Sequence, residues 1–300
     1  MVTVGRLVTA MVTPFDAHGE VDYSQARNLA VALIQSGSDG VVVSGTTGES
    51  PTLTTEEKLR LFREINEEVQ DQGAVIAGTG NYSTAESIDL TRHAEEQGVD
   101  AALLVVPYYN KPTQDGLYQH FKAIADSTSL PCILYNVPSR TITSLSSETT
   151  IRLSHVDNII GVKEASGDFD QIARIISGAP EGFHVWSGND NDTFGIMNMG
   201  GYGIISVAAH LVGHQIKRMM ELILAGRRIE AAHEHLRLLP IFKGLFTVSN
   251  PIPVKYSLNH YGFHVGSPRL PLTEPDESTA EQIRAMLKEY RIDLPLNTSA

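Results

Sequence analysis

Cysteine and basic residues are scarce in this sequence. Cys132 is the single cysteine, which excludes an intramolecular disulfide and a thiolate metal cluster and favours a reducing compartment such as the cytoplasm. There are 23 lysines and arginines against 35 acidic residues, and the resulting net charge of −12 repels nucleic acid and anionic lipid. We therefore expect neither nucleic acid nor a membrane surface as a partner.

Long apolar runs are also missing. No stretch approaches the roughly 18 consecutive apolar residues of a membrane-spanning helix. The apolar run near the N-terminus is interrupted by Thr13 and Pro14, so it is too short for a secretory signal. The sequence thus predicts a globular protein, and 42% hydrophobic residues over 300 positions suffice for one large core or two smaller ones.

Eight short runs of β-branched and aliphatic residues recur along the chain. They are residues 7–12, 40–45, 74–80, 101–107, 132–137, 159–165, 184–188 and 203–207. Their near-continuous apolarity is typical of parallel strands that are buried on both faces. Segments with helical periodicity lie between them, and two of these begin with capping-box patterns, Thr54 to Glu57 and Ser83 to Glu86.

Eight strand-plus-helix units within about 220 residues are typical of a (β/α)8 TIM barrel and fit a six-stranded doubly wound sheet less well. After residue 226 the strand pattern stops, and helical patterns separated by prolines continue to the end of the sequence. The sequence therefore predicts the α/β class, with a catalytic barrel domain at 1–226 and a C-terminal α-helical region at 227–300.

Polar residues end several of the predicted strands. The chemistry of such a barrel is placed at the C-terminal ends of its strands, so these residues are the candidates for the active site. Hydroxyls, glycines and one amine gather there, whereas histidines and clustered carboxylates are few. The candidates are Thr46, Thr47, Tyr109, Tyr135, Lys163 and Gly188.

Lys163 is the most specific of these signals. It follows Ile159, Ile160 and Val162 at the end of a predicted central strand. Desolvation at such a position lowers the pKa of the ammonium and populates the free amine, which can attack a ketone to form an imine. The alternative is a buried lysine that is paired with a carboxylate such as Glu164.

Three more side chains fit this chemistry. Tyr135 and Thr47 would form a hydroxyl relay, because imine formation and hydrolysis need several proton transfers. The alternatives are a packed ring with a satisfied hydroxyl for Tyr135 and a turn residue for Thr47. Arg140 would bind a substrate carboxylate in bidentate fashion or else make a surface ion pair.

Residues 78–83 match a dinucleotide-binding loop only weakly. The loop lacks the third glycine, and Asp100 precedes the next strand, whereas the ribose-binding acid belongs at its far end. The sequence therefore predicts no nucleotide cofactor.

Signals for a metal are equally weak. His210 and His214 share a helical face, but no third ligand is evident. Asp190 and Asp192 could hold Mg²⁺, although acids at such a position more often cap a helix. We expect no metal site.

Seven motifs in chain order carry a resemblance to a known family. They are GTTGES (45–50), PYYNKP (107–112), YNVPSRT (135–141), GVKEASGD (161–168), SGND (187–190), GYGIISV (201–207) and NPIPVK (250–255). Together they resemble the dihydrodipicolinate synthase and N-acetylneuraminate lyase family. The barrel and helical C-terminal region of that family agree with the pattern described above.

The resemblance implies a lyase that binds pyruvate as a Schiff base on Lys163. The enamine would then condense with L-aspartate 4-semialdehyde, in the diaminopimelate and lysine biosynthesis pathway. Tyr135 would be the proton donor and acceptor, with Thr47 and Tyr109 completing the relay. The resemblance also implies that Tyr109 reaches the active site of a neighbouring subunit, within a homotetramer of two tight dimers.

Further roles follow from the same resemblance. Thr46 and Thr47 would hold the pyruvate carboxylate, and Arg140 would orient the carboxylate of the second substrate. Gly188 and Ile205 would shape the pocket around the imine. No cofactor is implied.

The aldehyde partner varies within this family, so it must be argued from the site. Arg140 favours the semialdehyde, because sugar-acid lyases that resemble this chain usually lack an arginine here. Two alternatives stay open: N-acetylneuraminate lyase or another sugar-acid aldolase, and a non-catalytic barrel that binds a keto acid. Intact Lys163, Tyr135 and Thr47 argue against the second.

The sequence departs from the pattern of lysine-inhibited members of the family. Tyr108 and Glu86 of the inhibitor site are kept, but Thr55, Lys58 and Tyr82 replace polar or histidine ligands. A cationic Lys58 would repel a bound lysine. We therefore predict weak or absent inhibition by lysine.

Overall fold

A closed barrel of eight parallel strands forms the centre of the molecule. The computed structural model describes residues 4–295, so the outer ends of the two predicted regions, 1–3 and 296–300, lie outside the described residues. Each strand pairs with the next, and β8 pairs with β1. The strands are β1 Leu7–Ala10, β2 Gly40–Val43, β3 Ala74–Gly78, β4 Ala101–Val105, β5 Cys132–Asn136, β6 Ile159–Glu164, β7 His184–Ser187 and β8 Gly203–Ser206. The predicted TIM barrel is confirmed.

Helices surround the barrel and continue beyond it. They are α1 Tyr23–Gln35, α2 Thr55–Val69, α3 Thr84–Glu96, α4 Gln114–Ala125, α5 Pro138–Thr141, α6 Ser147–Leu153, α7 Phe169–Gly178, α8 Thr193–Asn198, α9 Ala209–Leu224, α10 Arg228–Gly244, α11 Ile252–His260 and α12 Glu277–Leu287. Helices α10 and α11 both pack on α9, and α12 packs on α10 and α11. The division of the chain at residue 226 stays a prediction. None of the helices between residues 4 and 295 has the length and apolarity to cross a bilayer.

All eight strands begin where the sequence predicts, but each predicted strand is one or two residues too long. The difference arises because apolar side chains stay buried after the backbone has left the ladder. Met11 and Val12 follow β1 and are buried, yet the Val12 N–H donates to Nε2 of His210 at 3.1 Å and not to a neighbouring strand. Burial alone therefore does not mark the end of a strand.

The two predicted capping boxes differ in outcome. At α2 both reciprocal bonds between Thr54 and Glu57 are present, so this capping box is confirmed. At α3 the Ser83 side chain accepts from the Glu86 N–H, but the reverse bond is missing. Asn81 Oδ1 accepts from the Ser83 N–H at 2.6 Å, and its amide group donates to the Glu86 carboxylate at 3.1 Å. The prediction of a second capping box is thus wrong for the bond from the Ser83 N–H to the Glu86 carboxylate, because Asn81 binds both of these groups.

Side chains alternate between two cores. Ile133 and Tyr135 belong to the cluster that fills the barrel, whereas Leu134 between them packs in the layer between strands and helices. In parallel register Tyr135 lies beside Lys163, and Asn136 lies beside Glu164. Because side chains of a strand alternate between faces, Lys163 points into the barrel and Glu164 points outward.

A buried ion pair joins the C-terminal helices to the loop after β2. Lys255 of α11 lies 2.8 Å from Glu49, and the side chain of each is 1% exposed. The backbone N–H of Arg269 donates to the other Glu49 oxygen at 2.8 Å, and the Arg269 guanidinium binds Glu57 at the start of α2. Lys255 also lies 4.2 Å from the centre of the Phe15 ring. These contacts hold the loops after β1 and β2 against the C-terminal region.

Removing one member of this pair should destabilise the fold strongly. Lys255→Met leaves the Glu49 carboxylate buried without its cation, which costs on the order of 3–5 kcal/mol in the free energy of unfolding. The double variant Glu49→Gln/Lys255→Met removes both charges and should recover most of that loss. Equilibrium unfolding in urea measures both effects, with Lys122→Met, at an exposed ion pair, as the control that should change little. Equal stability of Lys255→Met and the wild type would contradict the assignment.

Candidate active site

Lys163 and Tyr135 lie side by side inside the barrel. They are register partners on β6 and β5, and Nζ of Lys163 is 4.4 Å from the centre of the Tyr135 ring. Both side chains are almost completely buried, at 5% and 6% exposure. The structure therefore brings together an amine and a phenol, the predicted nucleophile and the predicted proton donor.

The pKa of the Lys163 amine is lowered by its surroundings. Burial lowers its pKa from 10.5 to about 8, an effect that the positive charge of Arg140 adds to and the negative charge of Asp190 opposes. A lysine with this pKa supplies a substantial fraction of free amine at physiological pH, unlike one at the surface. This is the form that attacks a carbonyl carbon.

Glu164 is not the partner of Lys163. Its carboxylate accepts hydrogen bonds from Asn136 and Gln171 side chains and from the Ser166 N–H, all on the outer side of β6. Burial raises the pKa of Glu164, and these donors oppose that effect. The alternative of a Lys163–Glu164 pair is therefore wrong, because adjacent residues of a strand point to opposite faces.

Asp190 is a fully buried carboxylate that the sequence did not connect with Lys163. It accepts hydrogen bonds from the Ser206 hydroxyl and from the N–H groups of Val207 and Ala208, just before α9. The expectation that these acids cap a helix is wrong, because no side chain caps α8, α9 or the short helical turn at Asp190–Asp192, and the N–H groups that Asp190 binds precede α9. Asp192 lies elsewhere, bound to Asn189 and Asn191 side chains.

His210 has a structural place in the fold. Its Nε2 accepts from the Val12 N–H and its Nδ1 lies 2.8 Å from the Val207 carbonyl oxygen, so the ring is neutral with its proton on Nδ1. Burial lowers its pKa to about 4. Both nitrogens are thus engaged in joining the ends of β1 and β8. Within residues 4–295 no group of three His, Cys, Asp or Glu side chains is arranged to hold a metal ion.

The phenol of Tyr135 is held in its protonated form. Burial raises its pKa, and the Arg140 charge and the Thr46 side chain oppose that effect. A neutral phenol inside the barrel can donate a proton to a group that forms beside Lys163.

A cavity of about 220 Å³ opens beside Tyr135. Thr46, Arg140 and Tyr108 also line it, together with Ser44, Gly45, Ser50, Pro51, Gly78, Gly80, Leu103, Val105, Val137 and Thr141. Its volume fits a small organic acid. Lys163 is not part of this lining but contacts it through the Tyr135 ring.

Thr47 and Arg140 share a neighbour that no strand-end pattern indicated. Asn250, just before α11, donates from Nδ2 to the Thr47 hydroxyl at 2.9 Å. Its backbone carbonyl accepts from Arg140 Nη2 at 3.4 Å. The NPIPVK motif contains Asn250, and it is the signal in the sequence that could have led to this residue.

Gly188 and Ile205 lie next to the lysine strand and deep in the barrel. The Gly188 N–H donates to the Glu164 carbonyl at 2.7 Å. A Cβ atom at this position would be 2.6 Å from Cβ of Ala165, so no larger residue fits without movement. Ile205 is fully buried within the barrel cluster.

Tyr109 is not brought to the other site residues within this chain. Its side chain is 93% exposed and its backbone has a φ of +75°, which is strained for a tyrosine. The neighbouring Asn110 fixes the loop by donating to the Tyr82 carbonyl at 3.0 Å. The loop thus presents a large aromatic side chain to the outside.

Comparison with known proteins gives a consistent assignment. A model of the dihydrodipicolinate synthetase family matches residues 3–290. A 4-hydroxy-tetrahydrodipicolinate synthase of Dehalococcoides mccartyi is 60% identical over 296 residues, which cover 99% of this chain and 100% of that one. The crystal structure of a dihydrodipicolinate synthase of Bacillus anthracis is 45% identical with a TM-score of 0.95, over 97% of this chain and 99% of that one.

A second solved structure, from Cyanidioschyzon merolae with lysine bound, is 44% identical with a TM-score of 0.94, over 95% of this chain and 97% of that one. The family model covers nearly the whole chain, and these relatives match it over almost their full length. The chain belongs to the dihydrodipicolinate synthetase family.

Proposed function

We propose that the chain catalyses the 4-hydroxy-tetrahydrodipicolinate synthase reaction, the condensation of pyruvate with L-aspartate 4-semialdehyde in diaminopimelate and lysine biosynthesis. The observation that carries the proposal is the buried Lys163 amine, with its lowered pKa, beside the Tyr135 phenol. The names of the relatives at 60% identity support the choice of substrates.

The free amine of Lys163 attacks the keto carbon of pyruvate, and water leaves as the imine forms. Loss of a methyl proton gives an enamine, whose carbon attacks the aldehyde of the semialdehyde. The amino group of the second substrate then attacks the imine carbon, which closes the ring and releases Lys163. Every step moves a proton, and the neutral Tyr135 hydroxyl, on the ring beside the amine, is the donor and acceptor that we assign to them.

The threonines and Arg140 supply binding groups. Thr46 lines the cavity and its side chain hydrogen-bonds Tyr135. Thr47 is buried next to it in the same loop, and this position supports the proposal that both hold the pyruvate carboxylate and that Thr47 extends the relay. Arg140 stands at the cavity with an exposed guanidinium, which suits bidentate binding of the carboxylate of the second substrate. Gly188 and Ile205 complete the packing around the imine.

A second subunit would complete the relay. Tyr109 is exposed, has a strained backbone and is not among the residues that line the cavity of its own chain, which supports a role in the site of a neighbouring copy. We propose a homotetramer of two tight dimers, in which Tyr109 crosses the tight interface. A cytoplasmic location is proposed from the single cysteine, which is buried and free.

The test is condensation of pyruvate with aspartate semialdehyde, measured by coupled reduction of the product, beside cleavage of N-acetylneuraminate by the same preparation. We expect kcat/KM for the semialdehyde to be at least about 10³-fold higher, since the semialdehyde offers Arg140 a carboxylate and N-acetylmannosamine, the aldehyde released from N-acetylneuraminate, does not. The reverse preference would move the chain to the sugar-acid branch. Activity on neither, without an imine trapped by borohydride, would favour a keto-acid-binding barrel.

Lys163 and Tyr135 should separate imine formation from proton transfer. Lys163→Ala is expected to abolish borohydride trapping of pyruvate, whereas Tyr135→Phe should still trap it but lose about 10²-fold or more in kcat. Mass spectrometry of the reduced protein and the coupled assay measure the two effects. Normal turnover by Tyr135→Phe would remove this tyrosine from the relay.

Imine formation should rise with pH through the pKa of Lys163. The protonated amine cannot attack. The rate of trapping at saturating pyruvate should therefore rise with pH, reach half of its maximum near pH 8 and level off at higher pH. Because the Arg140 charge lowers this pKa, Arg140→Met should move the midpoint to higher pH. Arg152→Met, at an exposed arginine stacked on Tyr118, is the matched control. A downward shift in Arg140→Met would contradict this electrostatic assignment.

Lysine should inhibit weakly or not at all. Lys58 is partly buried and close enough to Glu86 for their charges to interact, so a cation already stands beside the retained carboxylate. Burial lowers the pKa of Lys58, and Glu86 opposes this. Titrating lysine into the coupled assay should give no inhibition below the millimolar range, and Lys58→Ala should strengthen inhibition relative to the control Lys122→Ala. A sub-millimolar inhibition constant for the wild type would contradict the prediction.

A further inference from the structure

The C-terminal helical region contacts the active-site loop after β2 at two buried points. Lys255 of α11 pairs with Glu49 at 2.8 Å, and Asn250 donates to Thr47 at 2.9 Å. Thr47 and Glu49 belong to one short loop, in which the Glu49 N–H also donates to the Thr46 carbonyl at 3.1 Å. The loop that carries both threonines is therefore positioned from the C-terminal region and not by β2 alone.

The ion pair is the anchor of this arrangement. Glu49 has a φ of +57°, an unusual conformation for a residue with a side chain, so its backbone is held in place by surrounding contacts. Both oxygens of its carboxylate are bound, one by Lys255 and the other by the Arg269 N–H. Asn250 lies five positions before Lys255 on the same segment, so the anchor also sets where the Asn250 amide lies.

The bond from the Asn250 amide determines whether the Thr47 hydroxyl is free to donate a hydrogen bond to another group. A threonine hydroxyl has one hydrogen to donate and two lone pairs to accept with. Asn250 Nδ2 donates to Oγ1 of Thr47, which occupies a lone pair and leaves the hydrogen free to be donated elsewhere. The carbonyl of the same residue accepts from Arg140 Nη2, so side chain and backbone of Asn250 reach two different site residues.

A purely structural asparagine would have both ends of its amide paired. Asn250 is 5% exposed, yet Oδ1 has no hydrogen-bond partner among the described residues. A buried acceptor without a partner is costly, and a role in a functional site is one reason for which such a group is retained. The amide is thus used on the side that faces Thr47, through Nδ2 alone.

We propose that Asn250 is a positioning residue of the active site, which orients the Thr47 hydroxyl as a hydrogen-bond donor and holds Arg140 at the cavity through its carbonyl. The inference rests on the proposed function, since it assigns Asn250 to the same reaction. It makes the C-terminal helical region part of the catalytic machinery.

The side chain and the backbone of Asn250 should give separable effects. Substitution of the Asn250 side chain removes its hydrogen bond to Thr47 but keeps the backbone carbonyl that accepts from Arg140. Asn250→Asp, which replaces the donor by an acceptor, should lower kcat by about 10²-fold while KM for the semialdehyde stays within about threefold. Asn250→Ser, which retains a small donor, should lose less than Asn250→Asp. Wild-type kcat in Asn250→Asp would overturn the proposal.

A double-mutant cycle with Thr47→Val is the decisive measurement. If Asn250 acts through the Thr47 hydroxyl, Asn250→Ser should lower kcat in the wild type but not further in Thr47→Val. Equal losses of kcat in both backgrounds would overturn the proposal. They would show that the effect of Asn250→Ser, for example through stability, is independent of the Thr47 hydroxyl. Asn259→Asp changes an asparagine of the following helix, α11, whose side chain bonds the backbone of Val265 and Gly266, and it is the matched control that should keep its kcat.

The same cycle distinguishes this inference from the proposed function. Should the wild type not condense pyruvate with the semialdehyde, the proposed function fails, and the cycle is run on the rate of pyruvate trapping at Lys163. Coupling of Asn250 and Thr47 in that rate would support the positioning role by itself. Independent effects there would overturn it.

Discussion

The register between β5 and β6 is the constraint on which the candidate site depends. It places Tyr135 beside Lys163 on the inner face of a closed barrel and puts Asn136 and Glu164 on the outer face. If β6 shifted by one residue, its side chains would change faces. The Glu164 carboxylate would then point into the barrel, and the Lys163 amine would point toward the surrounding helices. The lowered pKa of Lys163 follows from the same fact, because inside the barrel burial, together with the charge of Arg140, outweighs the opposing charge of Asp190.

The barrel provides the chemical groups, whereas the loops that complete the site are positioned from outside it. The loop after β2 is held by Glu49, which binds Lys255 of α11 and the backbone of Arg269. Thr47 is bound by Asn250 from the same C-terminal segment. The contacts that hold the helices after the barrel are thus the same contacts that hold the loop carrying Thr46 and Thr47.

Much of this arrangement could be predicted from local patterns. The apolar runs gave all eight strand beginnings because the side chains of a buried parallel strand are apolar on both faces. Lys163 stood out because a charged residue interrupts such a run. Strand ends were placed one or two residues too late, since a residue such as Val12 remains buried although its N–H no longer bonds a neighbouring strand. The capping box at Ser83 was half wrong because Asn81, outside the four-residue pattern, competes for its groups.

The sequence by itself determined where the eight strands begin and the helical character of the C-terminal region, and it singled out Lys163 as a candidate, because each of these depends on residues close together in the chain. Only the tertiary structure decided that Glu164 faces away from Lys163, that Asp190 lies within its electrostatic reach, and that Asn250 bonds Thr47 across 203 positions of sequence. The physical reason is that hydrogen bonds and burial depend on distance in space, and closing the barrel brings together residues that no local pattern relates.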